Sequence, residues 1–87
     1  MSSAQTTIDP DMIRRWAEQR GGKPSCIKDA PKGGGILRLD FGEAEPGLEE
    51  ISWEQFFEIF DKEKLAFLYQ DKTDEGISRF NKFVDRV

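Results

Sequence analysis

Histidine is absent from the 87 residues, and cysteine occurs once, as Cys26. Without an imidazole there is no Ser-His or Cys-His pair, and the commonest general base and metal ligand are missing. A single thiol forms no intramolecular disulfide and builds no cysteine metal site. No apolar run approaches the roughly 20 residues that a bilayer-spanning helix requires. Residues 1–7 have neither the basic start nor the apolar stretch of a secretory signal. The expectation is a cytoplasmic protein that touches no membrane, with no catalytic residue, no metal and no cofactor.

What is present is aromatic mass. Seven Phe and two Trp accompany 37% hydrophobic and 34% charged residues, a balance too aromatic for a disordered chain. A chain of this length builds one thin core. The tail, residues 1–7, is small and polar and reads as disordered; residues 8–87 read as a single compact domain. Net charge is −4 and unevenly spread. Residues 1–42 carry seven Lys or Arg against five Asp or Glu, while residues 43–87 carry six against twelve. The first half is therefore the basic one.

The chain reads in order as follows. Asp9 suits a helix N-cap, Pro10 fits the first helical position, and Ile8 with Ile13 has the spacing of a hydrophobic staple. Ile13, Trp16, Ala17 and Arg20 recur at i, i+3, i+4 and i+7, and Gly21-Gly22 stops the run. A helix over about 10–20 follows. Ser25 to Lys28 reads as a short edge strand, and residues 31–35 as a loop. Leu37, Leu39 and Phe41 alternate with Arg38 and Asp40, the pattern of a half-buried strand. Residues 42–50 form an acidic loop with a Pro46-Gly47 turn.

Ser52 and Gln55 then make a capping box, with Ile51 and Phe56 as a second staple. Trp53, Phe56, Phe57 and Phe60 share one face of a helix over 53–62, with Phe57 nearest the rim. Leu65 to Gln70 reads as a central strand and residues 71–76 as a hairpin loop. The last segment is two-valued. Phe80, Phe83, Val84 and Val87 sit at helical spacing, yet a strand over 78–84, returning along Leu65–Gln70, is the economical topology. The fold expected is a two-layer α+β domain in the order α-β-β-α-β-β. Both helices pack on one face of a small, mainly antiparallel sheet.

Most motifs that suggest chemistry fall short of it. Gly33-Gly34-Gly35 is not a Walker loop, because no Lys-Ser/Thr follows and a strand comes next. The carboxylates Asp9, Asp11, Glu43, Glu45, Glu49 and Glu50 lack the register of a calcium loop. Cys26 lies near Lys23 and Lys28, which would lower its pKa, but no relay group accompanies it. The candidate binding residues are the cations Arg14, Arg15, Arg20, Lys23, Lys28, Lys32 and Arg38. Brought together, they would meet a phosphate backbone or an acidic partner.

Several stretches also carry a resemblance. They are Ile13 to Pro24, Leu37 to Phe41, Glu49 to Phe57, Leu65 to Gln70 and Ser78 to Val84. The chain resembles a family of small stand-alone bacterial proteins marked by W-A-E-x-R-G-G-K-P, L-R-x-D-F, E-E-I-S-W-x-x-F-F and L-A-F-L-Y-Q. Members sometimes carry the label glucan branching enzyme. Such enzymes are large, barrel-based and armed with acidic residues in a cleft, and nothing in this sequence supports that label. The resemblance implies a compact bacterial cytosolic domain and carries over no catalytic residue.

The functional expectation is a non-catalytic module that binds a protein partner, as a monomer or weak homodimer. Ala66 and Leu68, pointing away from Phe67 and Tyr69, would serve as its apolar patch if uncovered. The alternative is nucleic-acid binding through the basic half, and an enzyme is the least expected reading.

Overall fold

The computed structural model describes residues 4–27, 36–42, 46–73 and 76–87. The first helix, α1 (Pro10–Glu18), opens on Asp9, whose carboxylate accepts the Asp11 amide at 3.0 Å. It closes in a Schellman motif. The Gly22 amide donates to the Ala17 carbonyl at 2.8 Å and the Gly21 amide to Glu18 at 3.2 Å. Gly21 sits at φ 71°, where a side chain is strained. Gly22 is needed for another reason, since a Cβ there would lie 2.8 Å from the Phe41 ring. The second helix, α2 (Trp53–Lys62), is opened by the capping box. The Gln55 amide donates to Ser52 Oγ at 3.0 Å and the Ser52 amide to Gln55 Oε1 at 3.3 Å.

The strands are β1 (Gln5–Thr7), β2 (Lys23–Ile27), β3 (Leu37–Asp40), β4 (Leu48–Glu50), β5 (Leu65–Tyr69), β6 (Lys72–Thr73), β7 (Gly76–Ile77) and β8 (Asn81–Asp85). One sheet runs β1-β5-β8 and another β3-β2-β4, with β6-β7 as a two-stranded ribbon. Every pairing is antiparallel. The α+β class and the expected α-β-β-α-β-β elements are all present.

Four details differ from expectation, each for a local reason. The sheet is split in two. Gln5–Thr7 is a strand opposite Phe67–Tyr69 rather than part of a disordered tail. Lys23–Ile27 is central rather than an edge, because Leu48–Glu50 pairs with its second side. The added strands β1 and β4 are three residues long, and β6 and β7, which flank the tip of the expected hairpin loop at 71–76, are two, all too short for an alternation signal. Pro24 is tolerated in the central strand because it lies near the strand's start, before β4 joins the ladder. The fourth difference concerns the last segment, which is a strand beginning at Asn81. Phe80 therefore stands outside the ladder, and Phe83 faces Phe67 across it without a bulge. The expected loop at 31–35 lies outside the described residues.

The core joins both sheets. Phe56 and Phe60 are fully buried with Phe67, Leu37, Leu65 and Ile13, while Trp53, Phe57 and Phe83 pack around them half-buried. Phe56 meets Phe83 with centroids 5.6 Å apart, and Trp16 meets Phe67 at 5.2 Å, both edge-on. At the far end Arg86 ties α2 to the strand that follows it. Its Nε donates to the Leu65 carbonyl at 2.9 Å and its NH2 to Asp61 Oδ1 at 3.1 Å. Phe56→Ala should cost about 3–5 kcal/mol in urea unfolding, and Phe57→Ala, at the half-exposed rim, less than half of that. Equal losses would mean that the helix is buried on the wrong face.

Candidate functional site

The five candidate cations among the described residues do not form one field. Lys28 and Lys32 lie outside the described residues. Arg14 donates to Glu18 Oε2 at 3.2 Å one turn further along α1, an exposed pair of small energetic value. Lys23 Nζ is 3.9 Å from Glu50 Oε1. Strand register places Lys23 opposite Asp40, and Ser25 between Arg38 and Glu50. Residues directly opposite in an antiparallel pair share a face. The outer face of the β3-β2-β4 sheet thus alternates Lys23 and Arg38 with Asp40 and Glu50. Arg38 also donates to the Leu37 carbonyl at 2.8 Å.

Arg20 has a structural task. Its guanidinium lies over the Trp16 ring, 4.1 Å from the centroid. Its donors reach three carbonyls: Trp16 at 2.9 Å, Ser78 at 2.6 Å and Asp71 at 2.6 Å. Burial lowers its pKa, and the neighbouring Asp71 raises it in part; an arginine stays charged through such changes. Trp16 Nε1 donates to the Gln70 carbonyl at 2.9 Å. Together Trp16 and Arg20 hold the C-terminal end of α1 against both strands entering the ribbon. Helical spacing placed Arg20 correctly at the edge of the buried face. Two of its carbonyl partners, Ser78 and Asp71, lie more than fifty residues away and were not legible.

Beside this clamp is an open cleft of about 200 Å³. Met12, Arg15, Trp16 and Gln19 line it from α1, and Tyr69 and Asp71 from the end of β5 and just beyond. The Trp16 and Tyr69 rings, 6.2 Å apart and both buried, are its apolar part. The Tyr69 hydroxyl is 3.3 Å from Met12 Sδ and 3.5 Å from Gln5 Oε1. Among the described residues Arg15 forms no ion pair, and Asp71, although outside ion-pair distance, supports the charge of the adjacent Arg20. Of the sequence candidates, Arg15 alone lines this cleft.

The remaining expectations resolve simply. Ala66 is buried at 8% exposure and Leu68 is half-buried, so that face does not offer the open patch expected of it. Exposed apolar groups occur instead at Ile77 and Phe80. Burial pushes the Cys26 thiol pKa up, and Glu49, its cross-strand neighbour, adds to the rise. The nearby lysines do not reverse it. Among the described residues no three His, Cys, Asp or Glu gather as metal ligands, and no helix is long and apolar enough to cross a membrane.

Comparison with protein-family models, with curated proteins and with solved structures finds no match to this chain.

Arg20→Ala removes charge-assisted bonds to three carbonyls and should cost about 2–4 kcal/mol in chemical unfolding. Arg20→Lys should recover less than half of that, because one ammonium lacks the planar fork and the stacking surface. Full recovery by lysine would show that charge alone mattered.

Proposed function

We propose that this chain is a non-catalytic protein-interaction module whose contact surface centres on Ile77 and Phe80. The observation that carries this reading is their exposure, 69% for Ile77 and 42% for Phe80. The segment that bears them is anchored. Ser78, between them, gives its carbonyl to Arg20, while the Ser78 amide donates to Asp71 at 3.3 Å and the Gln70 amide to Phe80 at 3.4 Å. Arg79 lies 5.8 Å from the half-buried Phe41 ring. The apolar groups thus stand on a braced base and lose little freedom when they are covered.

Covering one large apolar side chain contributes roughly 1.5–3 kcal/mol. Two of them beside an arginine suit the centre of a protein contact, where apolar anchors and Arg are favoured. The nucleic-acid alternative has less support. Arg14 and Lys23 face carboxylates, and Arg20 is spent on carbonyls. A phosphate backbone is best met by cations that have no competing partner.

A photo-reactive phenylalanine analogue in place of Phe80, irradiated in cells, should cross-link to one major protein or to a second copy of the chain. The same analogue at the exposed Glu54 should not give that product. No product at position 80, or the same product at both positions, contradicts the reading.

A further inference from the structure

The strand that follows Phe80, β8, is the last of its sheet, and its outer edge is open. The register of β5 with β8 fixes which backbone groups point outward. The Gln70 amide donates to the Phe80 carbonyl at 3.4 Å, and the Arg86 amide to the Lys64 carbonyl at 2.8 Å. Bonded and non-bonded pairs alternate along an antiparallel ladder, so Lys82 and Val84 bond to β5. The N–H and C=O groups of Asn81, Phe83 and Asp85 therefore face away from it. Among the described residues nothing bonds to these groups.

We infer that this edge pairs with the same edge of a second copy of the chain, antiparallel about a two-fold axis at Phe83. The two β1-β5-β8 sheets then become one continuous sheet. This rests on the reading of Phe80 as part of a contact surface, and it names the partner. An open edge is a template for another strand. A second copy is selected because β8 is complementary to itself, as a two-fold contact requires. With Phe83 opposite Phe83, Asn81 stands opposite Asp85, and all three outward residues of each copy are bonded. The side chains agree with the backbone. The Asn81 amide can donate to the Asp85 carboxylate, and the Phe83 rings meet on the core side, beside Phe56 and Phe67. Lys82 lies against Val84 rather than against a charge. Sliding one copy by two residues either way loses a bonded pair. It also sets Lys82 opposite Lys82 or opposite Arg86, a like-charge conflict. A one-residue slip would turn the core face outward.

The other edges of the two sheets do not offer this. β1 and β4 have three residues each, against five in β8, and β4 ends in Glu49-Glu50, whose copies would repel. In β3 the outward residues are Leu37 and Leu39, because Pro24, opposite Leu39, gives its carbonyl to Ile51 on the β4 side. Arg38 already occupies the Leu37 carbonyl at 2.8 Å. β8 has neither a proline nor a bulge to blunt it. Its pairing also carries Arg86 of the second copy past Phe80 and covers that exposed ring. One strand pair buries less than the roughly 1,600 Å² of a standard stable interface, so the dimer is weak.

The test is the unaltered chain studied from about 0.02 to 1 mM, which spans a Kd up to about 1 mM. Its mass in sedimentation equilibrium should rise from that of one chain toward that of two. Amide exchange with water at Asn81, Phe83 and Asp85 should slow at least about twofold over this range, since half the chains are paired at 1 mM when Kd is about 1 mM. Exchange at Thr6, which faces outward on β1, should not change. In a mixture of labelled and unlabelled chains, Lys82 Hα of one copy should show a nuclear Overhauser contact with Val84 Hα of the other. Asp85→Pro removes an outward amide and no bond to β5, and should stay monomeric with the β5 signals in place. If that variant does not fold, the exchange and Overhauser results on the unaltered chain decide. The inference is overturned if the chain stays monomeric at about 1 mM, if the three outward β8 amides do not slow, or if folded Asp85→Pro associates like the parent. A monomeric chain that still cross-links through position 80 to a different protein overturns this inference alone. Loss of that cross-link as well overturns the contact-surface reading with it.

Discussion

The stack of Arg20 on Trp16 is the contact on which the arrangement of this small domain depends. Trp16 touches Phe67 and Tyr69 of one sheet, and Phe41, which follows β3 of the other. Its indole N–H and the adjacent guanidinium together engage the carbonyls of Gln70, Asp71 and Ser78. A helix of nine residues has little stability of its own. It persists here because one apolar ring is buried between both sheets and one cation fastens the turn that follows. Gly22 belongs to the same arrangement, since its bare Cα leaves room for the Phe41 ring.

The arginines illustrate how composition misleads when charge is counted without geometry. A surplus of cations in the first half suggested a field that would attract phosphate. Arg20 is instead an internal donor, and Arg86, in the acidic half, does the same work at the opposite end of the core with Asp61 and the Leu65 carbonyl. An arginine beside a ring and facing several carbonyls is retained for its planar fork, not for its contribution to net charge. Once these are set aside, Arg15 stands out among the α1 cations as the one without an ion pair among the described residues.

Local chemistry was the legible part of the fold. The Ser52–Gln55 box, the Asp9 cap and the Gly21 stop each depend on neighbours within a few residues, and each helix begins where its cap requires. The alternation at Leu37 and Leu39 and the apolar run of β5 were legible for the same reason. Non-local pairings were not. β1 and β4 are strands because β5 and β2 offer open edges to them, and three residues hold no periodicity to reveal that. Phe80 and Phe83 were ambiguous because the strand begins between them, leaving one ring exposed and the other in the core. The cleft is further from the sequence still. Its walls are more than fifty positions apart, and only the fold joins Arg15 to Asp71.

The central claim is that the Trp16–Arg20 contact makes α1 and the base of the ribbon a single cooperative unit. Native-state hydrogen exchange on the unaltered protein tests it directly. The amides of Gln70 and Ser78 should open with the same free energy and the same denaturant dependence as the α1 amide of Ile13. If Gln70 and Ser78 exchange through small openings insensitive to denaturant while Ile13 stays protected, the ribbon moves independently and the account is wrong.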